Sequence, residues 1–190
     1  SGDVELSSSY PAVIKGKQDI EIRPQVSGFI TRLAVDEGSV VKKGQTLFII
    51  DPVQYEEAAN AARATVQVAK ANVATAELTA QNKRELAKNN IIGAYELQMA
   101  ENSLLSSKAV LAQANAQLIS AEKNLSYTRV SSPSDGVVGS IPFRVGSLVS
   151  PSIATPLTTV SDISEMYAYF SMTERQLLGY TSTGTSSKDI

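Results

Sequence analysis

A short stretch of this chain is written twice, with a long helix-forming insert between the copies. The first copy runs from Val26-Ser27-Gly28-Phe29-Ile30 through Leu33 to Glu37-Gly38-Ser39-Val40-Val41. The second runs from Ser134-Asp135-Gly136-Val137-Val138 through Ile141 to Val145-Gly146-Ser147-Leu148-Val149. Gly28 and Gly38 recur at one common offset as Gly136 and Gly146, Ser39 and Val41 recur as Ser147 and Val149, and Leu33 recurs as Ile141. Two copies so far apart imply half-modules that fold onto each other. The insert must then leave and return at nearly the same place, which suits a scaffold that projects a hairpin better than a catalytic site.

The insert reads as two helices. Asp51-Pro52 opens the first, Asp as N-cap and Pro in the first helical position. Glu56 and Glu57 follow in the opening turns, where the helix dipole favours them. From there to about Lys88 the chain is Ala-rich and free of Gly and Pro, as a helix requires. Ala59, Ala62, Val66, Ala69, Val73, Ala76 and Ala80 recur in alternating steps of three and four; Lys83 breaks the stripe and Ala87 resumes it. Asn89-Asn90-Ile91-Ile92-Gly93 supplies a helix stop and a tight turn. In the returning segment, about Ala94 to Leu125, Leu97, Leu104, Leu111, Leu118 and Leu125 lie at intervals of seven, interleaved with Ala100, Ser107, Ala114 and Ala121. Leucine at one heptad position and a small residue at the other specify a closely packed coiled coil. The short connection makes the helices antiparallel, and at about 1.5 Å per residue each reaches roughly 50 Å.

On either side of the insert the pattern is β. Residues 20–51 carry short strands punctuated by Gly28 and Gly38, with Lys42-Lys43-Gly44-Gln45 as a polar turn before Thr46-Leu47-Phe48-Ile49-Ile50. After Leu125, Tyr127-Thr128-Arg129-Val130, the second glycine motif and Leu157-Thr158-Thr159-Val160 continue it, and Asp162 echoes Asp51. Beyond that, Met166 to Phe170 alternates like a strand and Thr173 to Leu178 begins like a capped helix. Tyr10 to Ile14 is expected to pair near Tyr169.

Composition removes most chemistries. The chain has no Cys and no His, so thiolate and imidazole catalysis and the usual zinc and copper ligand sets are excluded. Seventeen basic residues against nineteen acidic ones leave no nucleic-acid footprint. Asp36-Glu37 and Glu56-Glu57 read as solvated charges, since general acid–base pairs need a shared cleft. Ser39, Ser131 and Ser132 have no His to activate them. The four motif glycines are too widely spaced for a phosphate loop and serve turns. Met99, Met166 and Met172 form no soft-metal cluster by spacing, and Met99 is expected to pack near the hairpin. Absence of Cys fits an extracytoplasmic location. No apolar run approaches the roughly 20 residues that cross a bilayer. The start Ser1-Gly2 reads as a trimmed end, with targeting information removed.

The two half-motifs resemble the halves of a biotinyl/lipoyl carrier domain, and a long antiparallel hairpin splitting such a domain resembles the periplasmic adaptors, or membrane fusion proteins, of the HlyD family. The resemblance is strongest to adaptors of tripartite resistance-nodulation-division (RND) multidrug efflux pumps of Gram-negative bacteria. It is carried by Ile22-Arg23-Pro24-Gln25-Val26-Ser27-Gly28, Glu37-Gly38-Ser39-Val40, Ile50-Asp51-Pro52, the run from Leu125 to Pro133, and Leu157-Thr158-Thr159-Val160. It implies an α+β fold: a split lipoyl-like β-sandwich at 20–51 and 126–162, a helical hairpin at 52–125, and part of an adjacent β-barrel domain at 1–19 and 163–190. A membrane-proximal domain is implied for which the chain has no residues, so the chain reads as a fragment.

Carrier domains attach their cofactor to a Lys between the two halves. That place is taken by Asp51-Pro52 and the insert, while Lys42-Lys43 lies inside the first half, so no cofactor is expected. The resemblance implies a protein that is no enzyme and sits in the periplasm attached to the inner membrane. The implied partners are an inner-membrane RND transporter, an outer-membrane channel and further copies of itself in a trimeric or hexameric ring. An adaptor of an ABC-type exporter or type I secretion system is the alternative. At the hairpin tip family members carry Arg, Leu and Ser; the aligned residues are Asn82, Leu86 and Gly93, with Lys83 and Arg84 nearby as substitute charges. Leu86, Asn90, Ile91, Ile92, Gly93 and Arg84 are the expected channel-docking residues, Ile91 and Ile92 alternatively capping the end of the helix pair.

Overall fold

The protein is described from a computed structural model over residues 18–162. The expected β-barrel segments before 18 and after 162, including the strand at 166–170 and the helix at 173–178, lie outside the described residues. The chain divides into two compact units, one formed by the segments on either side of the insert and the other by Asp51–Thr128.

Among the described residues the first unit contains only β-strands and their connections. Its strands are β1 (Gln18–Ile22), β2 (Gly28–Leu33), β3 (Val40–Val41), β4 (Thr46–Ile50), β5 (Arg129–Ser131), β6 (Gly136–Val138), β7 (Leu148–Val149) and β8 (Thr158–Asp162). They form two four-stranded antiparallel sheets, ordered β1-β8-β6-β3 and β5-β4-β2-β7. Each sheet takes two strands from each half of the repeat. Exchanging the halves turns one order into the other: β1 answers β5, β8 answers β4, β6 answers β2, and β3 answers β7. The repeat is therefore a pseudo-twofold relation, and it extends one strand beyond the glycine motifs. Gln18 and Asp19, placed by sequence in the flanking barrel, pair in β1 with Asp162 and Ser161.

The core follows the same symmetry. Ile30, Val41, Leu47, Phe48, Ile50, Val138, Val149, Leu157 and Val160 are almost completely buried. Ile30 lies opposite Ile50, and Val138 opposite Val160. Each such aliphatic side chain contributes about 1.5–3 kcal/mol when removed from water. Buried Thr158 donates its hydroxyl to the Ser140 carbonyl (3.0 Å), so its burial strands no polar group.

The second unit consists of two helices, α1 (Val53–Lys88) and α2 (Ala94–Ser126). The Asp51 carboxylate accepts the Val53 amide at 3.1 Å, and Pro52 already has helical backbone angles, φ −88° and ψ −6°. On α2 the buried or half-buried positions are the two heptad rows read from sequence, together with Glu101. Leu104, Ala100 and Ala114 are buried, and Val66, Ala69 and Ala114 pack with Leu111 and Leu118. Lys83 corrects the sequence reading. It continues the α1 stripe, half-buried, because helical phase carries it to the seam, where its ammonium reaches Glu96 at 3.5 Å. Met99 is a second correction: it is 54% exposed and lies off both heptad rows.

Candidate docking surfaces

At the end of the helix pair, the turn closes α1 through two backbone bonds. The Asn90 amide donates to the Ala87 carbonyl (3.0 Å), and the Ile91 amide donates to the Leu86 carbonyl (2.9 Å). This is the double closure of a Schellman motif, and it requires a left-handed residue just past the helix. Asn90 fills that place with φ 59°. Asn accepts this conformation more readily than most side chains. Gly93 serves the start of the next helix instead. It is extended, φ −85° and ψ 171°, and stands at the N-cap of α2, where it offers no side-chain oxygen.

The turn is apolar on its outside. Ile91 is 66% exposed and Tyr95 77% exposed, while Ile92 and Leu86 are half-buried. Ile91, Tyr95 and Met99 follow one another in steps of four and are all exposed, forming an apolar edge that runs from the turn along α2. Sequence reading missed Tyr95 and Met99. The available signal was their place off the heptad rows, next to an exposed turn.

Arg84 is differently disposed. Its guanidinium forks onto the Glu101 carboxylate, with Nη2 2.9 Å from Oε2 and Nε on Oε1, and its Nη1 lies 3.7 Å from Glu77. The hydrogen bond from Arg84 first, then its charge, holds the Glu101 carboxyl below the ordinary glutamate range, and Arg84 is raised in return. Its charge is directed across the helix pair rather than toward the turn.

The half-motif turns form the second surface. Gly38 and Gly146 have φ 80° and 95°, where a side chain is strained. Gly28 and Gly136 answer a different need: a Cβ on Gly28 would stand 2.6 Å from the Ile50 side chain, and one on Gly136 would overlap the Ser161 carbonyl. Glu37, read as a solvated charge, accepts the Ile141 amide at 2.8 Å and so ties one half-motif to the other. Beside these turns Phe29 and Leu148 are cross-strand neighbours, 54% and 63% exposed, and Val40, the repeat counterpart of Leu148, is 66% exposed.

Among the described residues no group of three or more His, Cys, Asp or Glu is placed to hold a metal, and no helix is long and apolar enough to cross a membrane. A β module built from two interlaced half-motifs, with a long helical hairpin inserted between them in sequence, defines a barrel-sandwich hybrid of the membrane fusion type. The chain belongs to the RND membrane fusion protein family: residues 18–161 match the model described as "RND MFP, barrel-sandwich hybrid domain".

Among curated relatives it is similar to the multidrug efflux pump subunit AcrA of Escherichia coli K12, with 30% identity over 86% of this chain and 41% of AcrA. It is also similar to the efflux pump periplasmic linker BepD of Brucella suis, with 31% identity over 92% of this chain and 44% of BepD. The chain thus spans less than half the length of these relatives. Among solved structures, MacA from Actinobacillus actinomycetemcomitans superposes with a TM-score of 0.57 and 30% identity, over 78% of this chain and 52% of MacA.

Proposed function

We propose that this protein is the periplasmic adaptor subunit of a tripartite RND-type drug efflux pump. It links an inner-membrane transporter to an outer-membrane channel by docking of the hairpin tip and assembly into a trimeric or hexameric ring. The observation that carries the reading is the match of residues 18–161 to the RND barrel-sandwich hybrid, interrupted by a helix pair whose outer turn is apolar and exposed. The names of AcrA and BepD, an efflux pump subunit and a periplasmic linker, support the same role and compartment. The alternative, an adaptor of an ABC-type exporter or type I secretion system, has less support, because the matching family is the RND one.

In this reading the helix pair is a coiled coil whose tip, formed by Leu86, Asn90, Ile91, Ile92 and Gly93 and extended by Tyr95, meets the channel. Arg84 stiffens the hairpin behind the tip. The β module with Gly28, Gly38, Gly136 and Gly146 meets its neighbours in the ring. The role is mechanical, sealing a conduit and coupling two membranes, without chemistry on the drug and without a cofactor. The test is site-specific photo-crosslinking in the native cell envelope with the probe at Ile91. A covalent adduct to an outer-membrane channel is expected. An adduct to the transporter alone, or none at normal expression, would make Ile91 and Ile92 a structural cap.

A further inference from the structure

Three ion pairs cross the helix seam in one register. Arg63 pairs with Glu122 (3.6 Å), Glu77 with Lys108 (3.9 Å) and Arg84 with Glu101. Their members on α1 are spaced by seven or twice seven, and those on α2 run back by the same steps. One level of this ladder remains, between Arg63 and Glu77, and the register sets Lys70 opposite Asn115 there. Ala69 and Ala114, which directly precede these two, both belong to the buried cluster of the seam, so the level is the same on both helices. The counter-charge is missing: Asn115 stands where an acid would complete the ladder. Lys70 makes no ion pair among the described residues. It is also the single charged residue of segments 64–76 and 109–121, a band about 20 Å long.

The missing acid costs the fold little, because exposed ion pairs contribute little to stability. What Asn115 has and an acid lacks is a donor. An ammonium on α1 and a carboxamide on α2, at one level, offer N–H groups from both helices to a single acceptor. Lys70 and Asn115 are exposed. So are Ala112 and Ile119, three and four residues from Asn115 on the same side of α2, Ile119 at 68%. A surface that covered this level would strip Lys70 of water, which is costly unless that surface brings a negative charge.

We propose that Lys70 and Asn115 together receive an aspartate or glutamate carboxylate of a different protein, whose apolar side chains beside that acid rest on Ala112 and Ile119. Charge complementarity selects the occupant. A second copy standing alongside at equal height brings no carboxylate to this level. Glu77, Glu96, Glu101 and Glu122 are engaged in pairs of their own, while Glu56, Glu57 and Glu85 stand at the two ends of α1. A free small anion would gain nothing from the apolar neighbours and would meet Lys70 in full solvent, where such attraction is weak. The adaptor reading places no partner contact at this level, so the inference goes beyond it.

The test is zero-length carbodiimide crosslinking of the full-length protein in the native cell envelope, read by peptide mass spectrometry. The reagent joins an amine to a carboxylate only where the two already touch. Lys83 and Glu96, 3.5 Å apart, give an internal link that reports a folded hairpin and a working reaction. The expected result is a Lys70 peptide joined to an Asp or Glu peptide of another protein. Asn115→Asp completes the ladder and should lower that adduct roughly tenfold, the loss of about one charge-assisted contact, with the Lys83 link unchanged. No Lys70 adduct beside a normal Lys83 link would overturn the proposal. So would a Lys70 link to a second copy of this chain, or an adduct that Asn115→Asp leaves unchanged. Scoring the Ile91 photo-adduct in the same cells keeps the two readings apart. A Lys70 adduct without the channel adduct refutes tip docking alone, and the converse refutes the Lys70 contact alone.

Discussion

Gly38 and Gly146 do the same work from opposite halves of the chain. The Gly38 amide donates to the Val138 carbonyl at 2.8 Å, and the Gly146 amide donates to the Ile30 carbonyl at 2.7 Å. The bonds return along the same path, Val138 to Ser39 and Ile30 to Ser147, each at 2.9 Å. Each half-motif thus completes its hydrogen bonding only on the other half. The reciprocal bonds tie the two halves together, and the two ends of the insert meet in one sheet, Ile49 opposite Arg129.

This reciprocity makes the four glycines unequal. Gly38→Ala places a side chain at positive φ in open space and is expected to cost roughly 1 kcal/mol. Gly136→Ala forces a methyl onto the Ser161 backbone and the Val160 side chain, an overpacking expected to cost about 2–3 kcal/mol. Urea unfolding of the two variants, followed by a probe in the β module, checks the order.

Leu104 and Leu105 are adjacent in sequence and opposite in fate, 4% and 65% exposed. Leu104→Ala removes a buried seam side chain and is expected to cost about 2–5 kcal/mol. Leu105→Ala should stay within about 0.5 kcal/mol in the isolated chain. Thermal melting followed by far-ultraviolet circular dichroism distinguishes them, and equal losses would contradict the heptad seam.

The Arg84–Glu101 pair predicts an acid dependence. Because the folded-state value of Glu101 lies below its ordinary 4.5, its stabilisation is present above that value and is lost as pH falls through the depressed one. The stability gap between the native chain and Glu101→Gln should therefore be widest near neutrality and close in acid. Arg84, raised further by the same pair, stays charged throughout this range and adds no slope. A gap that does not change with pH would exclude the pair as its source.

Tyr95→Ala separates docking from folding. At 77% exposure its truncation should leave the melting temperature unchanged. Aromatic anchors at interfaces commonly cost about 2 kcal/mol or more, so the channel adduct at Ile91 should fall roughly 30-fold. An unchanged adduct would place the contact on the far side of the turn.

Patterns that repeat along the chain were legible without a structure. Leucine at every seventh place from Leu97 to Leu125 marks a seam because helical phase alone selects those positions. The paired glycine motifs announce two halves because each glycine answers a backbone demand that recurs. The two-part architecture and the ends of both helices could be read on that basis, and the family from the resemblance of the quoted motifs to known adaptors. What depended on residues distant in sequence could not. Lys83 reads as a break, yet Glu96 across the seam accepts its charge. Arg84 reads as a tip charge, yet Glu101 and Glu77 hold it. Met99 reads as a packed residue, yet more than half of it stays exposed. Periodicity states which side of a helix a residue occupies and says nothing of what lies opposite. The two interlaced sheets and the ion pairs across the helix seam therefore belong to the tertiary structure, because each is a relation between residues that only folding brings to the same place.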